Sequence, residues 1–133
     1  MLKNFKLLLA VIILPQTFFA QDEMPGSVDE VIKWNFSVEY DGCEAYLVFK
    51  VDQKDHWHVY SQTQPDGAVA YPTTFIFPKS DDFKLIGKAK EYGAETHDNE
   101  GIPEKYFPGE QAKFKQKIEI LSKDDFEIKV EYE

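Results

Sequence analysis

Residues 34–51 run Trp34-Asn35-Phe36-Ser37-Val38-Glu39-Tyr40-Asp41-Gly42-Cys43-Glu44-Ala45-Tyr46-Leu47-Val48-Phe49-Lys50-Val51. In the first half Trp34, Phe36, Val38 and Tyr40 alternate with Asn35, Ser37 and Glu39. In the second, Ala45, Leu47, Phe49 and Val51 alternate with Glu44, Tyr46, Val48 and Lys50. A period of two is the mark of a strand with one face in a core and the other in water. Asp41-Gly42 between the halves suits a tight hairpin, since both residues tolerate positive φ. The stretch therefore predicts an antiparallel hairpin.

The same grammar continues downstream. Trp57 to Ser61 is expected to be a short aromatic strand, and the prolines and glycine of residues 62–72 make a loop. Thr73 to Phe77 is β-branched and aromatic and is closed by Pro78. Phe83, Leu85, Gly87 and Ala89 alternate with lysines and Ile86. Residues 91–110 hold three glycines, two prolines and no periodicity, and are expected to be a long irregular and functional stretch. Ala112, Phe114, Ile118 and Ile120 resume the alternation, with Gln116 interrupting the apolar face. Phe126, Ile128, Val130 and Tyr132 close the pattern. About seven short strands separated by turns, with no amphipathic helix, predict an all-β, immunoglobulin-like antiparallel β-sandwich.

Outward from this domain, residues 1–20 read as a signal peptide. Lys3 and Lys6 form a positive start, Leu7 to Leu14 an apolar run too short to span a bilayer, and Ala20 precedes an acidic turn at Gln21-Asp22-Glu23. Residues 21–30 are a loose leader and 31–133 the folded domain. Export to the periplasm follows as an expectation, with no direct membrane insertion once the signal is cut.

The chain past residue 20 carries all 24 acidic residues and 13 of the 15 lysines, a formal charge of −11. Such a surface repels nucleic acid and anionic lipid, and no basic stripe stands out along the sequence. Cys43 is the single cysteine, a free thiol or half of an intermolecular pair, in a turn expected to be at least partly exposed, and cannot by itself form an internal redox couple.

Few constellations suggest chemistry. His56 and His58 would share a strand face, and His97 sits in the long stretch, but no supporting ligand motif marks a metal site. Asp98 and Glu100 read as a solvated loop. Ser61 near His58 lacks the orienting acid of a triad. Tyr46, His58, Tyr60, Tyr92, Tyr106 and Phe107 fit the inward strand positions poorly and suggest an exposed aromatic cluster for a partner or a sugar.

The run Lys54-Asp55-His56-Trp57-His58-Val59-Tyr60-Ser61-Gln62 carries a resemblance. Together with Pro72-Thr73-Thr74-Phe75, Tyr106-Phe107 and Phe114-Lys115-Gln116-Lys117-Ile118, it resembles the N-terminal periplasmic domain of the DsbD thiol:disulfide interchange family over about residues 30–133. The resemblance implies an immunoglobulin-like domain that takes electrons from a membrane-embedded donor. It would pass them to thioredoxin-like and disulfide-isomerase proteins of the periplasm, in disulfide reduction or cytochrome c maturation. In the family a cysteine pair follows the strand that looks like Phe126 to Tyr132, and a closing strand comes after it. Neither cysteine is present here, Cys43 matches neither, and His97 to Pro103 lacks the family's shielding aromatic. His58 and Tyr60 match positions that flank the redox site and are carried over as its rim. No cofactor is implied, and the chain alone is expected to be inactive as an oxidoreductase. The rival reading is a non-catalytic envelope β-sandwich module that binds a protein or glycan.

Overall fold

The computed structural model describes residues 7–13 and 27–133. Nine strands follow one another: β1 (Leu7–Ile13), β2 (Ile32–Asp41), β3 (Glu44–Gln53), β4 (Phe75–Ile76), β5 (Phe83–Tyr92), β6 (Glu95–Asn99), β7 (Ile102–Tyr106), β8 (Gln111–Ile120) and β9 (Phe126–Tyr132). A four-stranded antiparallel sheet has the order β2-β3-β8-β5, a second sheet the order β1-β9-β4, and β6 and β7 form a separate hairpin. The only helical element among the described residues is a 3-10 turn at Val28–Glu30, in what the sequence presents as loose leader.

The alternation seen in the sequence becomes burial. Leu47, Phe49 and Val51 of β3, Phe114 and Ile118 of β8, and Ile128 and Val130 of β9 are fully buried and meet between the two larger sheets. Each such side chain is worth about 1.5–3 kcal/mol of burial before entropy is subtracted. Trp34, on edge strand β2, is only half-buried yet joins the sheets. Its ring lies 4.3 Å from Tyr132 of β9, 6.0 Å from Phe75 of β4 and 6.1 Å from Phe114 of β8. The fold is an all-β sandwich.

The β2–β3 hairpin forms as expected, with Asp41 opposite Glu44. Only Gly42 takes a positive φ, +64°, and Asp41 stays in the strand. Cys43 completes the turn and is exposed.

Three expectations need correction. Residues 91–110 are not irregular: β5 runs on to Tyr92, and β6 and β7 pair through a two-residue loop, Glu100-Gly101, with φ of +53° and +87°. Two positive φ values in a two-residue loop suit the twist of a hairpin. Neither face of this hairpin is wholly buried, so no alternation betrays it. Trp57 to Ser61 is not a strand but a segment with one bridge, Tyr60 to Tyr106. The side chains of Gln53 and Thr73 take the Val59 N–H and Tyr60 carbonyl that a ladder would need. Finally, the strand expected at Thr73 to Phe77 shortens to Phe75–Ile76.

The apolar run of the N-terminus is placed as well. Leu7–Ile13 lies along β9 in parallel, from Leu7 opposite Phe126 to Ile13 opposite Tyr132. In this chain the outer edge of β9 is therefore covered. The remainder of residues 1–20 and the expected cleavage point before Gln21 lie outside the described residues.

Charge is also distributed differently from its linear order. Register sets Lys50 directly opposite Lys113 and Lys90 directly opposite Lys115, all on the outward face of the four-stranded sheet. Lysines spaced along three strands converge once the strands pair, interleaved with Glu39, Glu44 and Glu119 on the same face.

Candidate functional site

The segment after β3 is positioned by one buried amide. Gln53, the last residue of β3, donates from Nε2 to Phe107 O at 2.7 Å and to Gly109 O at 2.6 Å. Its Oε1 accepts from Val59 N–H at 2.9 Å. Phe107 N–H then donates to Val59 O, and Ser61 N–H to Lys105 O. The segment Val59 to Ser61 is thereby laid antiparallel against the end of β7.

That pairing assembles an aromatic stack. The Tyr106 ring lies between two imidazoles, 4.2 Å from His58 and 4.3 Å from His97, both nearly parallel to it. Tyr60 bridges directly to Tyr106. Burial first, then the charge of Glu104 and the neighbouring Tyr106 phenol, push the Tyr60 phenol above its usual value. His97 Nε2 is shielded from solvent without a hydrogen bond and lies 3.7 Å from Glu95 Oε2.

A second anchor lies beneath. Glu91, from the end of β5, accepts from Ser61 Oγ at 2.5 Å and from Gln62 N–H at 2.9 Å, with Lys105 Nζ 3.4 Å away. Ser61 is fully buried and serves this carboxylate, not His58. Thr73 Oγ1 donates to Tyr60 O at 2.7 Å, and Thr73 N–H to Ser61 O at 3.1 Å. Thr74 and Glu133 exchange backbone hydrogen bonds at 3.1 and 3.2 Å. An unbroken set of bonds therefore runs from the end of β9 through Thr73 and Thr74 to Tyr60 and the stack.

Of the residues singled out by sequence, His58, Tyr60, Tyr106 and His97 come together. His56 does not: it turns the chain at φ +69° and is exposed. Phe107 belongs to the core instead, 1% exposed and 5.1 Å from Phe114. Asp98 is occupied in the β6–β7 turn, where its Oδ1 accepts from Gly101 N–H at 2.7 Å. Tyr46 and Tyr92 lie on the outer sheet face, Tyr46 beneath Lys115 and Lys117. Cys43 is at the opposite end of β3 from Gln53. Ten residues of strand at ~3.3 Å each put it about 30 Å from Gln53.

Gln53 and Glu91 were not legible as functional in the sequence. A polar residue at an otherwise inward position of β3 is the one signal that marked Gln53. On the loop that precedes Thr73, Val69 is 71% and Tyr71 89% exposed. Among the described residues no group of three His, Cys, Asp or Glu side chains is placed to hold a metal ion. No described helix is long and apolar enough to cross a membrane.

The Tyr106 ring and the two imidazoles form a stack whose exposed member is His58, on backbone held by buried hydrogen bonds. No family model, curated protein or solved structure matches the chain.

Proposed function

We propose that this chain is a periplasmic domain of the DsbD N-terminal type. It would dock thioredoxin-like or disulfide-isomerase proteins at the His58–Tyr60–Tyr106–His97 surface, in disulfide reduction or cytochrome c maturation. The observation that carries the reading is the bonded path from Glu133 through Thr74 and Thr73 to Tyr60. In the family it resembles, the redox cysteines follow the strand that looks like β9. That path ties the end of β9 to Tyr60, one of the two residues matched to the redox-site rim. Cys43, at the far end of β3, has no part in it, and the lone thiol has no neighbour to resolve a mixed disulfide.

The test is an NMR titration of the exported chain with periplasmic thioredoxin-like proteins. Shifts confined to His58, Tyr60, His97 and Tyr106, and weakened by Tyr106→Ala, are expected. Shifts elsewhere, or none, overturn the reading. Removal of residues 1–20 on export would leave Gln21 first, which intact mass decides, and would take β1 off the edge of β9.

A second reading is an envelope module that binds a protein or glycan without redox chemistry. The exposure of Val69 and Tyr71 favours it. Val69→Ser with Tyr71→Ser would then abolish binding, whereas Tyr106→Ala would leave it intact.

A further inference from the structure

The outward face of the four-stranded sheet sets like charges opposite one another. Lys50 of β3 stands directly opposite Lys113 of β8, and six residues away Glu44 stands opposite Glu119 on the same two strands. Like charges directly opposite one another on a sheet are destabilising. Among the described residues neither Lys50, Lys113 nor Glu119 has an ion-pair partner, while Glu44 holds Lys117 at 2.7 Å. The basic pair and the acidic pair sit at opposite ends of one face. Tyr46 and Val48 lie between them.

We infer that this face is a contact between two copies of the chain, related by a two-fold axis lying in the contact plane. The axis runs across the strands over the Leu47–Gln116 row, midway between the two charged pairs. Such a rotation reverses positions along each strand and keeps each strand over its own counterpart. Lys50 of one copy then faces Glu44 of the other, and Lys113 faces Glu119. The flanking strands match under the same operation. Asn35 of β2 faces Asp41, and Tyr92 of β5, 51% exposed, faces Lys84. The registers of all four strands satisfy one axis. Val48, near the centre, is fully buried within its own chain and adds no contact across the axis. Lys115 falls opposite Lys117, a like-charge meeting softened because Glu39 and Glu44 already hold them at 2.7 Å each.

Size sets the strength. Four strands ~4.8 Å apart and ten residues long at ~3.3 Å each make a face of about 600 Å². Two such faces bury about 1,200 Å², the lower end for specific complexes, so the dimer is weak and reversible. A uniformly anionic bilayer fits the face less well, because Asp41, Glu44 and Glu119 lie on it too. The inference is independent of the proposed docking surface, which uses other residues.

Sedimentation equilibrium of the whole chain at low and high salt tests it. A monomer–dimer equilibrium weakened by salt is expected. Lys50→Glu/Lys113→Glu and Glu44→Lys/Glu119→Lys should each weaken self-association by at least about tenfold, because like charges now meet. An equimolar mixture of the two variants should dimerise again, because each supplies what the other lacks. Lys50→Gln/Lys113→Gln, which relieves the like-charge pair within the sheet, gives the same loss without fold disruption. A chain that stays monomeric, a dimer indifferent to all three variants, or a mixture that does not associate would overturn the inference.

Discussion

The side chain of Gln53 reaches across 54 residues of sequence to donate to the carbonyl of Phe107 at 2.7 Å. It is 6% exposed, and with Gly109 O and Val59 N–H it uses both amide hydrogens and its oxygen. A buried amide fully matched in this way fixes the approach of two loops in a way that an apolar side chain cannot.

Gln53→Leu is therefore expected to cost about 2–4 kcal/mol, since it strands a buried N–H and two carbonyls. Denaturant unfolding measures the loss. Gln53→Glu should cost at least as much, because a carboxylate offers no donors to Phe107 and Gly109. A change under about 0.5 kcal/mol would mean that the loops hold themselves.

Glu91→Gln can keep Gln62 N–H on its amide oxygen and reverse the Ser61 Oγ bond, the amide now donating, but it loses the charge that strengthens both bonds and the Lys105 ion pair. A cost of about 1–3 kcal/mol is expected. Amide exchange should quicken at Ser61 and Gln62 ahead of the core strands. Uniform quickening throughout the sandwich would argue against a local anchor.

The core rests on Trp34. Trp34→Ala is expected to cost about 3 kcal/mol, the low end for a large aromatic because the ring is only half-buried. Its contacts reach Tyr132 and Phe75 of the second sheet, so thermal unfolding should lose cooperativity as well as midpoint.

At the hairpin turn, Gly42→Ala meets no atom within 4 Å, so its cost is conformational alone, about 1–2 kcal/mol for an L residue at φ +64°. Beside it, Cys43→Ser should change stability by less than about 0.5 kcal/mol. The thiol should react with maleimide in the native chain at the rate of a free peptide.

Alkaline pH should loosen the fold through two phenols. Burial, Glu104 and Tyr106 raise the Tyr60 phenol, and burial and Asp29 raise that of Tyr132. The folded chain holds these protons more tightly than the unfolded one. Their contribution is complete below the ordinary phenol value and is lost as pH rises through the folded values. Spectrophotometric titration should show late-ionising phenols, and Tyr60→Phe should remove one of them.

How much was legible follows from how far apart the interacting residues lie. The hairpin of β2 and β3, the strands β8 and β9, and the inward set Leu47, Phe49, Phe114, Ile128 and Val130 were all written in a local period of two. Burial on one face of a strand demands that alternation from each segment separately. The β6–β7 hairpin escaped because it buries neither face and leaves no alternation to read.

The rest needed register between distant strands. Gln53 and Gln116 look like flaws in an apolar face until Phe107, Gly109 and the carbonyls of Ile86, Gly87 and Lys117 are placed beside them. His58, His97 and Tyr106 are separate aromatics until Val59 to Ser61 is laid on β7. Lys50 and Lys113 are 63 positions apart and become neighbours only when β3 pairs with β8. Local pattern selects strand and buried face, because each residue's own hydration decides them. Which polar groups meet is decided by strand order and register, and these are set jointly by the whole core.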